Sequence, residues 1–352
     1  MRILIANDGV SDGGGVQAYL DAVVTELAAR GHEMALAYCT DSGEAEPGSA
    51  LQRLPRFHVA GPQADAAFAA LCRWAPDVCF AHNMHDLAIE RRLATVARVV
   101  KFMHGYFGTC ISALKTHAFP AVHACDRAFG PACVALFLPR RCGHLSPTVL
   151  LEQLRWTRTQ RAQFAHYDAM VVASAHMQRE FVGSGVAAER VHVNPLFVTH
   201  QRSVPVGPAS IDRPERTAGT VTDQPTARVG FLGRMTTLKG GDLLIQAAHH
   251  AAGRLGRPVS VALIGDGPQR AEWEALAVRL RVPCTFAGWV SGDARWDLVQ
   301  ACTLQAVPSV WPEPFGLAGL EANALGVPAI APDAGGWTVK GPSASAFSAD
   351  YP

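Results

Sequence analysis

The sequence predicts an α/β protein made of two doubly wound domains of parallel strands that face a cleft, with the second domain incomplete. Three observations support this prediction. Short apolar runs alternate with segments of helical periodicity in both halves of the chain, a stretch rich in Pro, Gly, Thr and Ser separates the halves, and the alternation stops before the C-terminus. Strands that alternate with helices form parallel sheets, because each helix returns the chain to the start of the next strand.

Length and composition agree with a two-domain globular protein and exclude several classes. The chain has 352 residues, of which 49% are hydrophobic and 17% are charged. At about 100–200 residues per domain, this length accommodates two cores. The apolar content excludes an intrinsically disordered chain. The formal net charge of +1 gives no indication of a nucleic-acid-binding protein, so no nucleic acid partner is expected.

No membrane-spanning or secretory segment is expected. No apolar run approaches the roughly 18–20 residues that span a bilayer. The apolar core at residues 3–6 is too short for a signal peptide. We therefore expect a cytoplasmic protein whose nine cysteines are thiols rather than a disulfide framework.

The first domain, predicted over residues 1–200, opens with a strand, a Gly-rich turn and a helix. Residues 2–6 form the apolar run, and residues 16–29 place Leu20, Val24 and Leu27 on one helical face. The same alternation then continues along the domain. The further strands are predicted at residues 34–38, 77–81, 99–103, 168–174 and 191–195, with a helix after the fourth of these that extends to Phe181.

The second domain, predicted over residues 227–336, follows a linker at residues 201–226 that lacks apolar periodicity. Ligands of doubly wound sheets bind beyond the carboxyl ends of the strands, so the loops after its strands are candidate binding segments. The strands are predicted at residues 228–232, 259–264, 284–287, 303–308 and 327–331, and the helices at residues 240–252, 269–280, 293–301 and 316–325.

The alternation ends after Gly336. Residues 337–352 are rich in Ser, Ala and Pro and lack apolar periodicity, so we interpret them as an atypical tail. A doubly wound domain ordinarily continues with further strand and helix units. One hypothesis is a non-native tail produced by a shifted reading frame.

The most informative motif is Glu313-Pro-Phe-Gly316 followed by Glu321, with seven residues between the two glutamates. Phe315, Gly316 and Leu317 open a predicted helix, whose unpaired amide groups can receive a phosphate. Glu321 lies between one and two turns further on, where a carboxylate can accept hydrogen bonds from both vicinal hydroxyls of a ribose. The alternative interpretation is one loop glutamate and one exposed helical glutamate.

A second candidate segment runs from Gly233 to Gly240 and contains Arg234 and Lys239. It follows a predicted strand directly. A guanidinium and an ammonium in one loop can clamp a diphosphate. The alternative is a pair of solvated surface cations.

Two features of the first domain are typical of the same kind of site. The turn Asp12-Gly-Gly-Gly15 allows the amides of Gly14 and Gly15 to face a bound group, although a plain strand-to-helix connection has the same composition. His104 follows the predicted strand at residues 99–103. A histidine there can bind a sugar hydroxyl or assist proton transfer, and the alternative is a structural histidine.

Together, the Glu313-to-Glu321 motif, Arg234, Lys239 and the Gly-rich turn resemble the retaining family-4 glycosyltransferases, also called glycosyl transferases group 1. The resemblance extends over residues 1–336. It implies two Rossmann-like domains in the GT-B arrangement. The domain at residues 1–200 is then the acceptor side, and the domain at residues 227–336 binds the nucleotide-sugar.

The resemblance also implies a role for each candidate residue. Arg234 and Lys239 hold the donor diphosphate, and Glu321 holds the ribose. His104 contacts the donor sugar near the reacting carbon, and His104 and Glu313 are the catalytic candidates. The other donor-binding residues implied in the same way are Gly14, Gly15, Gly265, Phe315, Gly316 and Leu317.

Such enzymes transfer a sugar from a nucleotide-diphosphate sugar to a glycan or lipid-linked acceptor, with retained configuration and without a tightly bound metal or other cofactor. Cationic side chains and helix amides then stabilise the departing diphosphate. Asp8 and Glu313 are the nearest carboxylates, and neither is evidently placed as a nucleophile, so the family's attack on the leaving-group face is favoured. Two alternatives remain: a truncated relative that only binds, and a nucleotide-sugar epimerase.

Residues 104–161 carry two weaker patterns. Cys110, Cys125, Cys133 and Cys142 occur among several histidines, but their wide spacing makes a zinc site less favoured than free thiols. Arginines recur at helical spacing near residue 155, which permits peripheral contact with an anionic membrane, although an ordinary amphipathic helix has the same pattern.

Overall fold

The computed structural model describes residues 1–9, 15–40, 49–197, 227–333 and 335–336. The chain divides into two compact units, Met1–Phe197 and Val198–Pro352. Gly14, the predicted linker at residues 201–226 and the predicted tail at residues 337–352 lie outside the described residues.

The described residues of the first unit form one large parallel sheet and one small hairpin. Its strands are β1 (Arg2–Ala6), β2 (Glu33–Tyr38), β3 (Arg56–His58), β4 (Val78–Ala81), β5 (Arg98–Met103), β6 (Thr116–His117), β7 (His123–Ala124), β8 (Ala169–Val172) and β9 (Val191–Val193). The large sheet has the order β3-β2-β1-β4-β5-β8-β9, and every neighbouring pair in it is parallel. β6 and β7 pair antiparallel as the hairpin.

Helices connect these strands and cover the sheet. They are α1 (Gly15–Ala29), α2 (Ala64–Trp74), α3 (Leu87–Leu93), α4 (Pro131–Leu136), α5 (Pro147–Gln163) and α6 (Ala175–Gly183). The helix α1 buries Leu20 and Val24 in a cluster with Ile3, Ile5 and Leu36 of the sheet. The apolar spacing of α1 and the apolar run of β1 therefore build the same core.

The described residues of the second unit repeat this architecture on a smaller scale. Its elements are β10 (Ala227–Leu232), α7 (Gly241–Leu255), β11 (Val259–Ile264), α8 (Arg270–Leu280), β12 (Cys284–Gly288), α9 (Gly292–Gln300), β13 (Leu304–Ala306), α10 (Leu317–Ala324) and β14 (Ala329–Ile330). The sheet is parallel, with the order β12-β11-β10-β13-β14. Trp273 of α8 is fully buried and meets Phe231 of β10 edge to face, at 5.5 Å between ring centroids.

The predicted α/β class with two doubly wound parallel sheets is confirmed. The sequence pattern missed the short strand β3, the helices α2, α3 and α4, and the hairpin of β6 and β7. It overestimated the last strand, which was predicted at residues 327–331 and spans only Ala329–Ile330. Pro328 precedes this strand and has no N–H group to extend the ladder.

Candidate functional site

The loops after β10 and β13 lie side by side at the point where the second sheet reverses its strand order. β10 pairs with β11 on one side and with β13 on the other. The Val310 amide donates to the carbonyl of Leu238 at 3.0 Å, which joins the two loops. Gly240 has a φ of 66°, and a Cβ there would overlap the carbonyl oxygen of Pro308. Glycine is therefore required at Gly240, at a topological switch point where such sheets bind ligands.

A charged cluster joins these two loops. The Lys239 ammonium lies 2.6 Å from Oε1 of Glu313, and the Ser309 hydroxyl donates to the same oxygen at 2.5 Å. Glu313 and Ser309 are buried, whereas 30% of the Lys239 side chain is exposed. The Lys239 ammonium also lies 5.4 Å from the centroid of the Trp311 ring. The cluster thus presents a partly exposed cation anchored to a buried carboxylate.

The loop after β11 packs against the start of the loop after β10. The amide of Gly233 donates to the Ile264 carbonyl at 3.0 Å, and the Met235 amide donates to the Asp266 carbonyl at 2.8 Å. A Cβ at Gly265 would overlap the backbone of Gly233. Gly265 therefore permits the close approach that holds the backbone on both sides of Arg234, whose own side chain is exposed.

The helix α10 begins directly after the buried Phe315, with Gly316 as its N-cap at a φ of 78° and Leu317 as its first residue. The backbone of Glu313 is also held by Gly336, whose amide donates to the Glu313 carbonyl at 2.7 Å. The first amides of α10 thus follow the charged cluster closely in sequence. A helix N-terminus favours anions.

Glu321 lies further along α10 and is buried, with 7% of the residue exposed. Its Oε1 lies 3.3 Å from Nη2 of Arg295 on α9. Burial raises the pKa of Glu321, and the Arg295 guanidinium opposes this rise. The Arg295 guanidinium therefore favours the ionised form of this buried carboxylate.

In the first unit, His104 follows β5 and forms a pair with His82, which follows β4. Nε2 of His104 lies 2.9 Å from Nδ1 of His82, and His82 is completely buried. The Tyr19 ring of α1 approaches both, with ring centroids 5.7 Å from His104 and 6.1 Å from His82. Burial and then the Lys101 ammonium lower the pKa of His104 to about 3. Burial also lowers the pKa of His82 well below its usual value, so both rings are neutral at pH 7.

Lys101 of β5 is the buried cation behind this pair. Its ammonium donates to the His82 carbonyl and to Glu90, each at 2.5 Å. Glu90 also accepts a hydrogen bond of 2.9 Å from the Tyr167 hydroxyl. Burial raises the pKa of Tyr167 well above its usual value, so this hydroxyl stays protonated. A cavity of about 20 Å³ lies beside the network, lined in part by His82, Lys101 and Gln160.

The other sequence candidates of the first unit are less informative. Gly15 is the exposed first residue of α1. Cys110, Cys125, Cys133 and Cys142 are free thiols. Burial raises the pKa of Cys142 to about 11, with a further contribution from the other three cysteines. Within residues 1–9, 15–40, 49–197, 227–333 and 335–336, no group of three or more His, Cys, Asp or Glu side chains is arranged to hold a metal ion.

In the described part of the chain, no helix combines the length and the apolar character that crossing a membrane requires.

The structure therefore brings Lys239 and Glu313 into direct contact, and it reveals three partners that sequence reasoning missed. Ser309 donates to Glu313, Arg295 pairs with Glu321, and His82 pairs with His104. Ser309 lies four residues before Glu313, so a polar residue in the same loop was a usable signal. Arg295 carries no such signal, because it comes from α9. His82 directly follows the predicted strand at residues 77–81, as His104 follows the next predicted strand, so its position was a usable signal.

Two family models match this chain. The model of Glycosyl transferases group 1 matches residues 212–339. The model of Glycosyltransferase Family 4 matches residues 13–202, which is more than half of the 352 residues. The chain belongs to glycosyltransferase family 4. The family to which the motifs pointed is thereby confirmed.

Curated relatives of this family-4 chain match over part of their length. A D-inositol 3-phosphate glycosyltransferase of Rhodococcus erythropolis is 33% identical over 133 residues, which is 36% of this chain and 30% of the relative. A 2-deoxystreptamine glucosyltransferase of Streptomyces kanamyceticus is 30% identical over 154 residues, 43% of this chain and 39% of the relative. The chain thus spans only about a third of the length of these relatives.

Solved structures extend the likeness in fold to nearly the whole family-4 chain. The Anabaena protein Alr3699/HepE in complex with UDP and glucose has a TM-score of 0.65 at 19% identity, covering 99% of this chain and 86% of that chain. WaaG, a glycosyltransferase involved in lipopolysaccharide biosynthesis, has a TM-score of 0.61 at 16% identity, covering 99% and 87%. The fold is therefore that of the GT-B glycosyltransferases.

Proposed function

We propose that this protein is an active glycosyltransferase that moves a sugar from a nucleotide-diphosphate sugar to a glycan or lipid-linked acceptor, with retained configuration and without a metal. The observation that carries the proposal is the cluster of Lys239, Glu313 and Ser309 at the switch point of the second sheet. Departure of a nucleoside diphosphate develops negative charge, which a cation and helix amides stabilise without proton transfer.

The donor site of the proposal follows from this cluster. The Lys239 ammonium, which Glu313 holds in place, meets the diphosphate, and Arg234 adds a guanidinium from the same loop. Gly265 allows the tight loop contact beside Arg234. The amides of Gly316 and Leu317 and the ring of Phe315 line the sugar and phosphate, and Gly14 and Gly15 approach the phosphate or the acceptor.

The remaining roles concern the nucleoside and the reacting carbon. Glu321 accepts from the ribose hydroxyls, supported by its burial and its Arg295 partner. His104 contacts the donor sugar. Oε1 of Glu313 is already occupied by Lys239 and Ser309, which supports an anchoring carboxylate rather than a nucleophile and favours attack on the leaving-group face. The likeness to a protein crystallised with UDP and glucose supports a nucleotide-sugar donor.

Calorimetric titration with UDP and GDP tests the donor site. We expect Lys239→Ala and Arg234→Ala each to weaken binding about 10- to 100-fold, because a charge-assisted hydrogen bond contributes roughly 1.5–3 kcal/mol. Arg279→Ala removes an exposed arginine of α8 and is the matched control, with unchanged binding expected. Unchanged binding in both Lys239→Ala and Arg234→Ala would remove the donor site from the proposal.

A screen of nucleotide-sugars for transfer and hydrolysis tests the activity itself. Transfer with retained configuration supports the proposal. Tight binding of a nucleotide without any sugar release favours a relative that only binds, and interconversion of two nucleotide-sugars favours an epimerase. Loss of activity after treatment with a metal chelator contradicts metal independence.

A lipid-linked acceptor would sit at a membrane surface. Leu145, two residues before α5, is 57% exposed and Leu151 of α5 is 52% exposed, and Arg155 and Arg158 are exposed on the same helix. Apolar and basic groups together favour peripheral contact with anionic lipid. Co-sedimentation with phosphatidylglycerol vesicles, but not with neutral vesicles, is the expected result, and Leu151→Asp should weaken it. Equal sedimentation with both vesicle types contradicts this part of the proposal.

A further inference from the structure

Two neutral histidines share one hydrogen bond at the carboxyl ends of β4 and β5. Nδ1 of His82 lies 2.9 Å from Nε2 of His104. A neutral imidazole protonates one ring nitrogen and leaves the other as an acceptor. Two arrangements are therefore possible. Either His82 donates from Nδ1, or His104 donates from Nε2.

The second nitrogen of His82 distinguishes the two arrangements. Nε2 of His82 is buried and has no hydrogen-bond partner among the described residues. If His104 were the donor, Nε2 of His82 would carry an unpaired buried N–H group. Unpaired buried N–H groups are rarer than unpaired acceptors. The first arrangement leaves only a lone pair at this position.

The nearest cation keeps both rings neutral. The Lys101 ammonium donates to the carbonyl oxygen of His82 at 2.5 Å and forms a buried ion pair with Glu90. A nearby positive charge disfavours the cationic form of an imidazole. Lys101 also contributes to the lowered pKa of both histidines, which keeps the pair neutral.

We propose that His82 is a positioning residue that donates its Nδ1 proton to Nε2 of His104 and thereby fixes His104 as the tautomer protonated on Nδ1. The consequence for catalysis rests on the proposed function. His104 then offers an N–H group to an oxygen of the donor sugar, and it cannot act as a general base through Nδ1. Its role is to hold the sugar by donating a hydrogen bond rather than to accept a proton.

The surroundings hold both rings in this geometry. Phe102 of β5 packs against both histidines. The centroid of its ring lies 4.6 Å from that of His104 and 5.8 Å from that of His82. Tyr19 covers the pair from α1. The backbone of His82 is fixed by Lys101 and by its own amide, which donates to the Ala6 carbonyl at 2.8 Å. A preorganised donor loses little entropy when the sugar binds.

The tautomer can be measured directly by 15N NMR on protein labelled only at histidine, using long-range 1H–15N correlations near neutral pH. The His104 signals are assigned by their loss in His104→Gln. In the wild type we expect Nδ1 of His104 to be protonated and Nε2 to be unprotonated. A protonated Nε2 in the wild type overturns the proposal without the need for any variant.

Two variants test whether His82 sets this tautomer. In His82→Asn, the amide nitrogen can replace Nδ1 as the donor, so the wild-type tautomer should persist. In His82→Leu, the donor is lost, and a mixture that includes the Nε2-protonated form is expected. The matched control is His192→Leu, at an exposed histidine of β9, which should change nothing. An unchanged His104 tautomer in folded His82→Leu overturns the proposal.

Steady-state kinetics test the consequence for transfer. We expect His82→Leu to lower kcat about 5- to 10-fold with a smaller change in KM, since one oriented hydrogen bond contributes about 1 kcal/mol. His82→Asn should restore kcat to within about threefold. The predicted tautomer combined with an unchanged kcat in His82→Leu overturns the catalytic consequence. A wild type without any transfer activity contradicts the proposed function and leaves the NMR result to decide the role of His82.

Discussion

The two units have the same architecture but differ in the kind of chemistry at the carboxyl ends of their strands. In the first unit, the fully buried His82 and the partly buried His104 are neutral, and the nearby Lys101 ammonium is paired with Glu90. In the second unit, a partly exposed Lys239 meets the buried carboxylate of Glu313. In the proposed function, the first arrangement holds a polar, uncharged sugar by the direction of a hydrogen bond, and the second holds a diphosphate by charge.

The largest expected effect is that of removing the charge from the second site. Glu313→Gln keeps the shape and the hydrogen bond from Ser309 but removes the anion that anchors Lys239. We expect kcat/KM for sugar transfer to fall about 100- to 1,000-fold, the range found when one preorganised electrostatic group is lost. Nucleotide binding should stay within about fivefold, because Lys239 remains free to meet the diphosphate.

The matched control for this change is Glu274→Gln, at a carboxylate of α8 that pairs only at the surface with Arg270. It should leave both transfer and binding unchanged. Transfer by Glu313→Gln at nearly the wild-type rate would mean that charge at this position is dispensable, and the contrast between the two units would then have no catalytic meaning.

The sequence predicted the fold class and the residues of the charged cluster at Lys239 and Glu313 better than it predicted the neutral pair of His82 and His104. The apolar runs of β1, β10 and β11 and the motif from Glu313 to Glu321 are local patterns, and they were predictable for that reason. The hairpin of β6 and β7 was missed, because two-residue strands carry no period. The bond between His82 and His104 was missed, because it joins two segments that meet only after β4 and β5 have paired.

Mild acid should lower the free energy of unfolding of the first unit, because that unit holds the neutral histidine pair. The pKa of His104 is lowered to about 3 in the folded protein, so the unfolded chain binds more protons than the folded chain below pH 6.5. Stability is therefore fully present above about pH 6.5 and is lost as the pH falls towards 3. The expected slope is about 1.4 kcal/mol per pH unit for each histidine.

Denaturant unfolding between pH 7 and about pH 5 measures this slope. His104→Gln should reduce the slope by about 1.4 kcal/mol per pH unit, so that about 2 kcal/mol less stability is lost between pH 6.5 and about pH 5. His192→Leu, at an exposed histidine, should leave it unchanged. A His104→Gln slope equal to that of the wild type would show that His104 titrates alike in the folded and unfolded chains.

The smallest expected effect concerns Glu321, the buried carboxylate that pairs with Arg295. Burial raises the pKa of Glu321 and Arg295 opposes the rise, so Arg295→Ala should raise this pKa further and leave less ionised carboxylate for the ribose hydroxyls. We expect nucleotide affinity to fall about three- to tenfold, which corresponds to roughly 1 kcal/mol, and its loss on acidification to begin at a higher pH. Calorimetry across a pH series measures both, with Arg279→Ala as the control. Tighter binding by Arg295→Ala would instead mean that Arg295 competes with the ribose for Glu321, because Oε1 of Glu321 is already occupied by the guanidinium.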